Sequence, residues 1–172
     1  LDLNYLPEEC IVLGGGVVAC ELAQFLARVG CRVVQLQRSS HVLKEFAQAS
    51  SETVAEALRD NGINLMTNVS LESFEDRTGE RVRVNFEHEG ESKTLESNFL
   101  FNALGRQPAT ANLRVDKLGL ELRKSGHLVA NEYQQTNVPH IYAAGDCTGP
   151  HEIVHVAIRQ GETVAKHAFG HS

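Results

Sequence analysis

The sequence predicts an α/β fold built around a parallel sheet. Short apolar runs rich in Val, Ile and Leu alternate with stretches whose apolar residues recur at helical spacing, the pattern of βαβ units. A glycine turn, Gly14-Gly15-Gly16, separates the first such run from the first such helix. Three alternating segments then read as an antiparallel meander. The fold expected is a Rossmann-type βαβαβ nucleotide-binding domain carrying a three-stranded antiparallel meander, followed by a shorter, more broken segment.

Taken in order, Pro7-Glu8 leads into the strand Cys10-Ile11-Val12-Leu13. A helix is expected over 17–29, with Val18, Leu22, Phe25, Leu26 and Val29 on one face and Gly30 as its stop. Residues 32–37 form the second strand. Arg38-Ser39-Ser40-His41 is a polar loop, and a helix starts near Ser50-Ser51, where serine caps and Glu52 suits the first turn. Asn61-Gly62 stops it, and 63–67 is a third parallel strand. Residues 70–77, 81–89 and 93–101 are the meander, with a turn at Thr78-Gly79. An apolar strand over 99–104, another over 140–144 and a last helix over 155–169 complete the reading. The domain boundary falls near 105–110, giving a nucleotide domain over 7–107 and a second, incomplete segment over 108–172.

The glycine turn also carries chemistry. In Gly14-x-Gly16-x-x-Ala19, the first glycine permits the strand-to-helix turn and the second lets the backbone approach a pyrophosphate. The alanine keeps the helix close to the strand. The N–H groups at that helix start, around Val17 and Val18, would face the phosphates.

Bulk properties narrow the class. The chain has 172 residues, 42% of them hydrophobic, and a formal net charge of −6, which disfavours a nucleic-acid partner. No apolar run is long enough for a membrane span, and no signal peptide is seen. Absence of an initiator Met suggests a fragment of a longer protein. Cys10, Cys20, Cys31 and Cys147 lack the close spacing of a redox dithiol or zinc site. They read as free thiols in a reducing cytoplasm. The histidines, His171 among them, lack ligand spacing, and no metal site is expected.

Four islands in this order resemble the pyridine nucleotide–disulfide oxidoreductases, the flavoenzyme family of glutathione reductase, dihydrolipoamide dehydrogenase and mercuric reductase. They are Gly14-Gly15-Gly16-Val17-Val18-Ala19-Cys20-Glu21, Ala103-Leu104-Gly105-Arg106-Gln107-Pro108, 136–147 ending in Ala143-Ala144-Gly145-Asp146-Cys147, and Val154-His155-Val156-Ala157. Leu104 departs from the family's usual Thr. The resemblance implies an NAD(P) domain followed by the returning part of an FAD domain. The first FAD half and any redox-active Cys-x4-Cys would lie upstream, and an interface domain downstream. It further implies a homodimeric parent using NAD(P)H and FAD. No catalytic residue is expected in this stretch, and the isolated chain is expected to be inactive.

By the same resemblance Glu21 lies beside the nicotinamide, and Ala103 and Gly105 belong to the dinucleotide site. Gly145 and Asp146 meet an FAD hydroxyl, and Val156-Ala157 begin a helix approaching the flavin. At the end of the second strand, where NAD readers place a carboxylate for the ribose, the chain has Gln37. Arg38 follows, with His41 and Lys44 beyond, and a guanidinium fork suits a 2′-phosphate. NADPH is therefore preferred over NADH. Two functions are carried forward: the NADPH-binding part of an FAD-dependent oxidoreductase, or a non-catalytic NADPH-sensing module that kept the fold.

Overall fold

The computed structural model describes residues 3–76, 81–149 and 151–170. The expected turn at Thr78-Gly79, the end of its strand at Arg77, and His171 lie outside the described residues. The chain divides into two compact units, Leu1–Gly105 and Arg106–Ser172.

The first unit begins with β1 (Glu9–Leu13), whose last four residues are all buried. Such a strand is covered on both faces, as an inner parallel strand must be. Helix α1 (Val17–Arg28) follows the glycine turn and buries Ala19, Cys20, Ala23 and Leu26. Then come β2 (Arg32–Leu36), α2 (Gln48–Asp60) and β3 (Asn64–Met66). The meander is β4 (Ser70–Asp76), β5 (Val82–His88) and β6 (Glu91–Ser97), and β7 (Phe99–Asn102) closes the unit. The parallel sheet runs in the order β3-β2-β1-β7, and β4-β5-β6 form a separate antiparallel sheet.

Two apolar clusters hold this unit. Cys10, Val12, Ala23, Leu26, Val33 and Leu58 join one face of the parallel sheet to the helices. Ile11, Leu13, Leu36, Val84 and Phe86 join its other face to the meander. The period-2 alternation of β1 therefore feeds two cores at once. Glu9 bridges the sheets electrostatically, pairing with Arg32 at 2.7 Å and with Arg81.

Three sequence expectations change. The stretch 93–101 is not one meander strand. The Ser97 hydroxyl accepts a bond from the Phe99 N–H at 3.3 Å, a serine turn that breaks the run and sends β7 to the other sheet. Helix α2 starts at Gln48, with Ala47 at its cap and no side-chain capping bond. Ser51 turns inward instead, fully buried, and donates to the Leu43 carbonyl at 3.3 Å. Residues 140–144 form no strand; only an isolated bridge, Gln135 to Tyr142, appears there.

The second unit packs Val115, Leu128 and Ala143 into a small core and ends in α3 (Val154–Ala168). That helix is held by polar contacts. The Gly145 N–H donates to Gln160 at 2.7 Å, and His167 stacks on Tyr133 with ring centroids 4.6 Å apart.

Candidate functional site

Gly14, Gly15, Gly16 and Val17 form one wall of a cleft of about 470 Å³ in the first unit. Arg38, Ser39 and Lys44 from the loop after β2 form a second wall, and Ala103, Leu104 and Gly105 beyond β7 a third. All three walls sit at the carboxyl ends of parallel strands, where open α/β sheets place their ligands.

The three glycines answer to different neighbours. Gly14 has φ +121°, and a Cβ there would lie 2.5 Å from the Ala103 carbonyl oxygen. That close packing of β1 on the end of β7 is tied by the Ala103 N–H donating to Leu13 and the Gly14 N–H to Leu36, each at 2.9 Å. At Gly15 a Cβ would meet the Gln37 side chain at 2.6 Å. Around Gly16 nothing stands within 4 Å of the Cβ position. Gly16 caps α1 without a side-chain bond, and no acidic residue occupies the helix's first turn. The positive end of α1 thus opens on space that protein atoms leave free, an arrangement suited to an anion.

Behind the turn, Gln35 is wholly buried and donates to the Gly14 carbonyl at 3.0 Å, bracing the loop from below. Cys20 lies against it, its thiol near the Gly15 carbonyl at 3.7 Å. Burial pushes that thiol's pKa up, so Cys20 stays protonated. Arg38 is exposed and makes no ion pair among the described residues. Lys44 pairs with exposed Glu45 at 3.4 Å, and Phe46 and Leu71 supply apolar surface to the same cleft.

The other candidates lie elsewhere. His41 bonds Ser40 at 3.0 Å and lines a neighbouring hollow with Gln48, Glu52 and Arg59. Glu21 and Gln24 flank another hollow beside Leu43 and Phe46, sharing only Val17, Leu43 and Phe46 with the glycine cleft. Val18 is exposed on α1 and lines none of these three. In the second unit a Cβ on Gly145 would touch the Ala157 side chain at 3.5 Å. Gly145 thereby packs beside Ala157 near the start of α3, with Asp146 and Val156 their neighbours in sequence. Asp146 is half exposed and lies 3.4 Å from Arg106.

Sequence reasoning overlooked Gln35, Leu43, Phe46 and Leu71. A lone amide inside the apolar run Arg32-Val33-Val34-Gln35-Leu36 was the readable sign of the first. The left-handed Leu43 (φ +51°), whose N–H donates to the Gly15 carbonyl at 2.6 Å, left no such sign.

The profile of the family described as pyridine nucleotide-disulphide oxidoreductase matches residues 1–161. The chain belongs to this family. Among curated members of the pyridine nucleotide-disulphide oxidoreductases and their relatives, a mercuric reductase from Staphylococcus aureus is 35% identical over 170 residues, 99% of this chain and 31% of that enzyme. A dihydrolipoyl dehydrogenase from Chlamydia pneumoniae is 33% identical over 172 residues, 99% of this chain and 36% of that enzyme. The chain therefore spans about a third of the length of these relatives. In solved structures, LpdA from Mycobacterium tuberculosis superposes with a TM-score of 0.86 at 30% identity, over 99% of this chain and 36% of that one. The HOCl-induced flavoprotein disulfide reductase RclA from Escherichia coli gives a TM-score of 0.86 at 28% identity, over 99% of this chain and 38% of that one.

Proposed function

We propose that the chain is the nicotinamide-dinucleotide part of an FAD-dependent oxidoreductase, and that it takes NADPH in preference to NADH. The observation that carries the reading is the free, uncapped start of α1 at Gly16, facing the same cleft as Arg38. When bound, the reduced nicotinamide supplies a hydride and the flavin accepts it. The protein's own residues bind and orient. Backbone N–H groups beyond Gly16 hold the pyrophosphate, while Arg38 and Lys44 meet the 2′-phosphate. Ala103 and Gly105 wall the cleft, and Glu21 positions the nicotinamide end. Around the start of α3, Gly145, Asp146, Val156 and Ala157 receive the flavin.

Gln37 offers no carboxylate to a ribose hydroxyl, which supports NADPH over NADH. Glu45 opposes it, but an exposed pair such as Lys44–Glu45 is worth about 0–1 kcal/mol and yields readily to a phosphate. We further propose a domain division at 107/108, and a homodimeric full-length protein with an upstream FAD half and a downstream interface domain. A cytoplasmic location accords with the four free cysteines. Among the described residues no helix is long and apolar enough to cross a membrane.

Calorimetric titration of the intact protein with each cofactor tests the preference. NADPH is expected to bind on the order of tenfold tighter than NADH. Arg38→Ala should remove most of that difference and leave NADH binding nearly unchanged. Equal affinities for the unmodified protein at moderate salt would refute the NADPH assignment. Tight dinucleotide binding by the full-length protein, FAD half included, without any hydride transfer would favour the sensing module.

A further inference from the structure

We propose that Gln37 is a positioning residue for cofactor selectivity: lodged on Gly15, its side-chain amide ties together the loop 37–41 and so holds Arg38 at the rim of the cleft. The inference deepens the NADPH reading and rests on it. Gln37 is 8% exposed, and both of its amide atoms are engaged inside the protein. Its Nε2 donates to the His41 carbonyl at 3.2 Å, and its Oε1 accepts the Arg38 N–H at 3.1 Å. Those two bonds span the turn that carries Arg38.

The lodging depends on Gly15. A Cβ at that position would stand 2.6 Å from Gln37 Cδ and 2.9 Å from Nε2, so only glycine leaves the amide its place. A second tie anchors the far side of the loop, where the Leu43 N–H meets the Gly15 carbonyl at 2.6 Å. The basic loop is thus fastened twice to the turn expected to hold the pyrophosphate. A glutamate at 37 would set an oxygen against the His41 carbonyl where Nε2 now donates, loosening the loop rather than simply adding a ribose acceptor. Gln37 also lines the cleft, but both of its amide atoms are taken by the loop, so its effect on selectivity runs through loop placement.

The test measures NADPH and NADH affinities of the intact protein, Gln37→Met, Arg38→Ala and the double variant. Methionine keeps the stem over Gly15 but makes neither bond. Gln37→Met should lower the NADPH-to-NADH affinity ratio about three- to tenfold, the effect of losing an ordinary hydrogen bond. NADH affinity should move by less than about twofold. In the Arg38→Ala background the same change should leave the ratio where it is. Hydrogen exchange at the Arg38 amide should also accelerate by about tenfold once its acceptor is gone. Should Gln37→Met fail to fold, Gln37→Leu, which also keeps an apolar stem over Gly15 and makes neither bond, carries the same expectations. Equal losses for both cofactors, a ratio shift that persists without Arg38, or unchanged exchange at Arg38 would each overturn the proposal. An unmodified protein without NADPH preference overturns the cofactor reading first, and that failure is visible before any substitution is made.

Discussion

Gly14 and Gly16 differ in what a side chain would meet, and the difference separates folding from binding. Gly14→Ala forces a side chain into a left-handed backbone and onto the Ala103 carbonyl, which cannot retreat without parting β1 from β7. A loss of about 3 kcal/mol or more is expected. At Gly16 an added Cβ meets no protein atom within 4 Å, so Gly16→Val enters open space. It should cost only about 1 kcal/mol as a poorer helix cap, yet abolish nucleotide binding by filling the space beside the helix start. Thermal melts with and without NADPH distinguish the two. A Gly16→Val protein that binds NADPH with unchanged affinity would remove the pyrophosphate from this turn. The places of Gly14, Gly16 and Ala19 in the turn from β1 to α1 were readable because a strand-to-helix turn constrains residue type at fixed spacing. The Gln37–Gly15 lodging was not, since it depends on how the loop after β2 folds back.

At the scale of elements, β1 through β3 and the two helices between them follow from periodicity, because burial on one face of a helix or both faces of a strand leaves a regular trace. The break between β6 and β7 left none. Ser97 and Asn98 look like any polar pair in a strand, and only the turn made by the Ser97 hydroxyl separates the sheets. Cys10 within β1 supplies a pH test. Burial pushes its thiol pKa up to about 12 from about 9. The folded state thus favours the protonated thiol, and that contribution is complete below about pH 9. It is lost as pH rises toward 12, by up to about 1.4 kcal/mol for each pH unit. Denaturant melts between pH 9 and 11 should show a steeper decline for the unmodified protein than for Cys10→Ala. Parallel declines would mean that the thiol ionises freely in the folded state.

At the scale of the whole molecule, the two units differ in what sustains them. The first has two apolar clusters around a four-stranded sheet. Among the described residues the second has three buried apolar side chains in its core, and α3 leaves Val154 and Ile158 largely exposed. So small an apolar core leaves this unit leaning on polar contacts such as Gly145 to Gln160 and the Tyr133–His167 stack. Its sparse regular structure also explains why residues 140–144 misled: their alternation is satisfied by turns and one bridge rather than by a neighbouring strand.

The strand order has a consequence for biosynthesis. β1 is an inner strand, but its second neighbour, β7, is translated about ninety residues later. At about 5–20 residues per second, a ribosome leaves one edge of β1 without its native partner for several seconds. During that interval Cys10-Ile11-Val12-Leu13 is an apolar, uncharged edge able to pair with another nascent chain. The meander, emerging meanwhile, covers a face of the sheet but not that edge. Chains released after Asn98 should therefore aggregate far more than chains released after Gly105, as centrifugation of translation products would record. Equal solubility of the two would mean that β1 is shielded before β7 arrives.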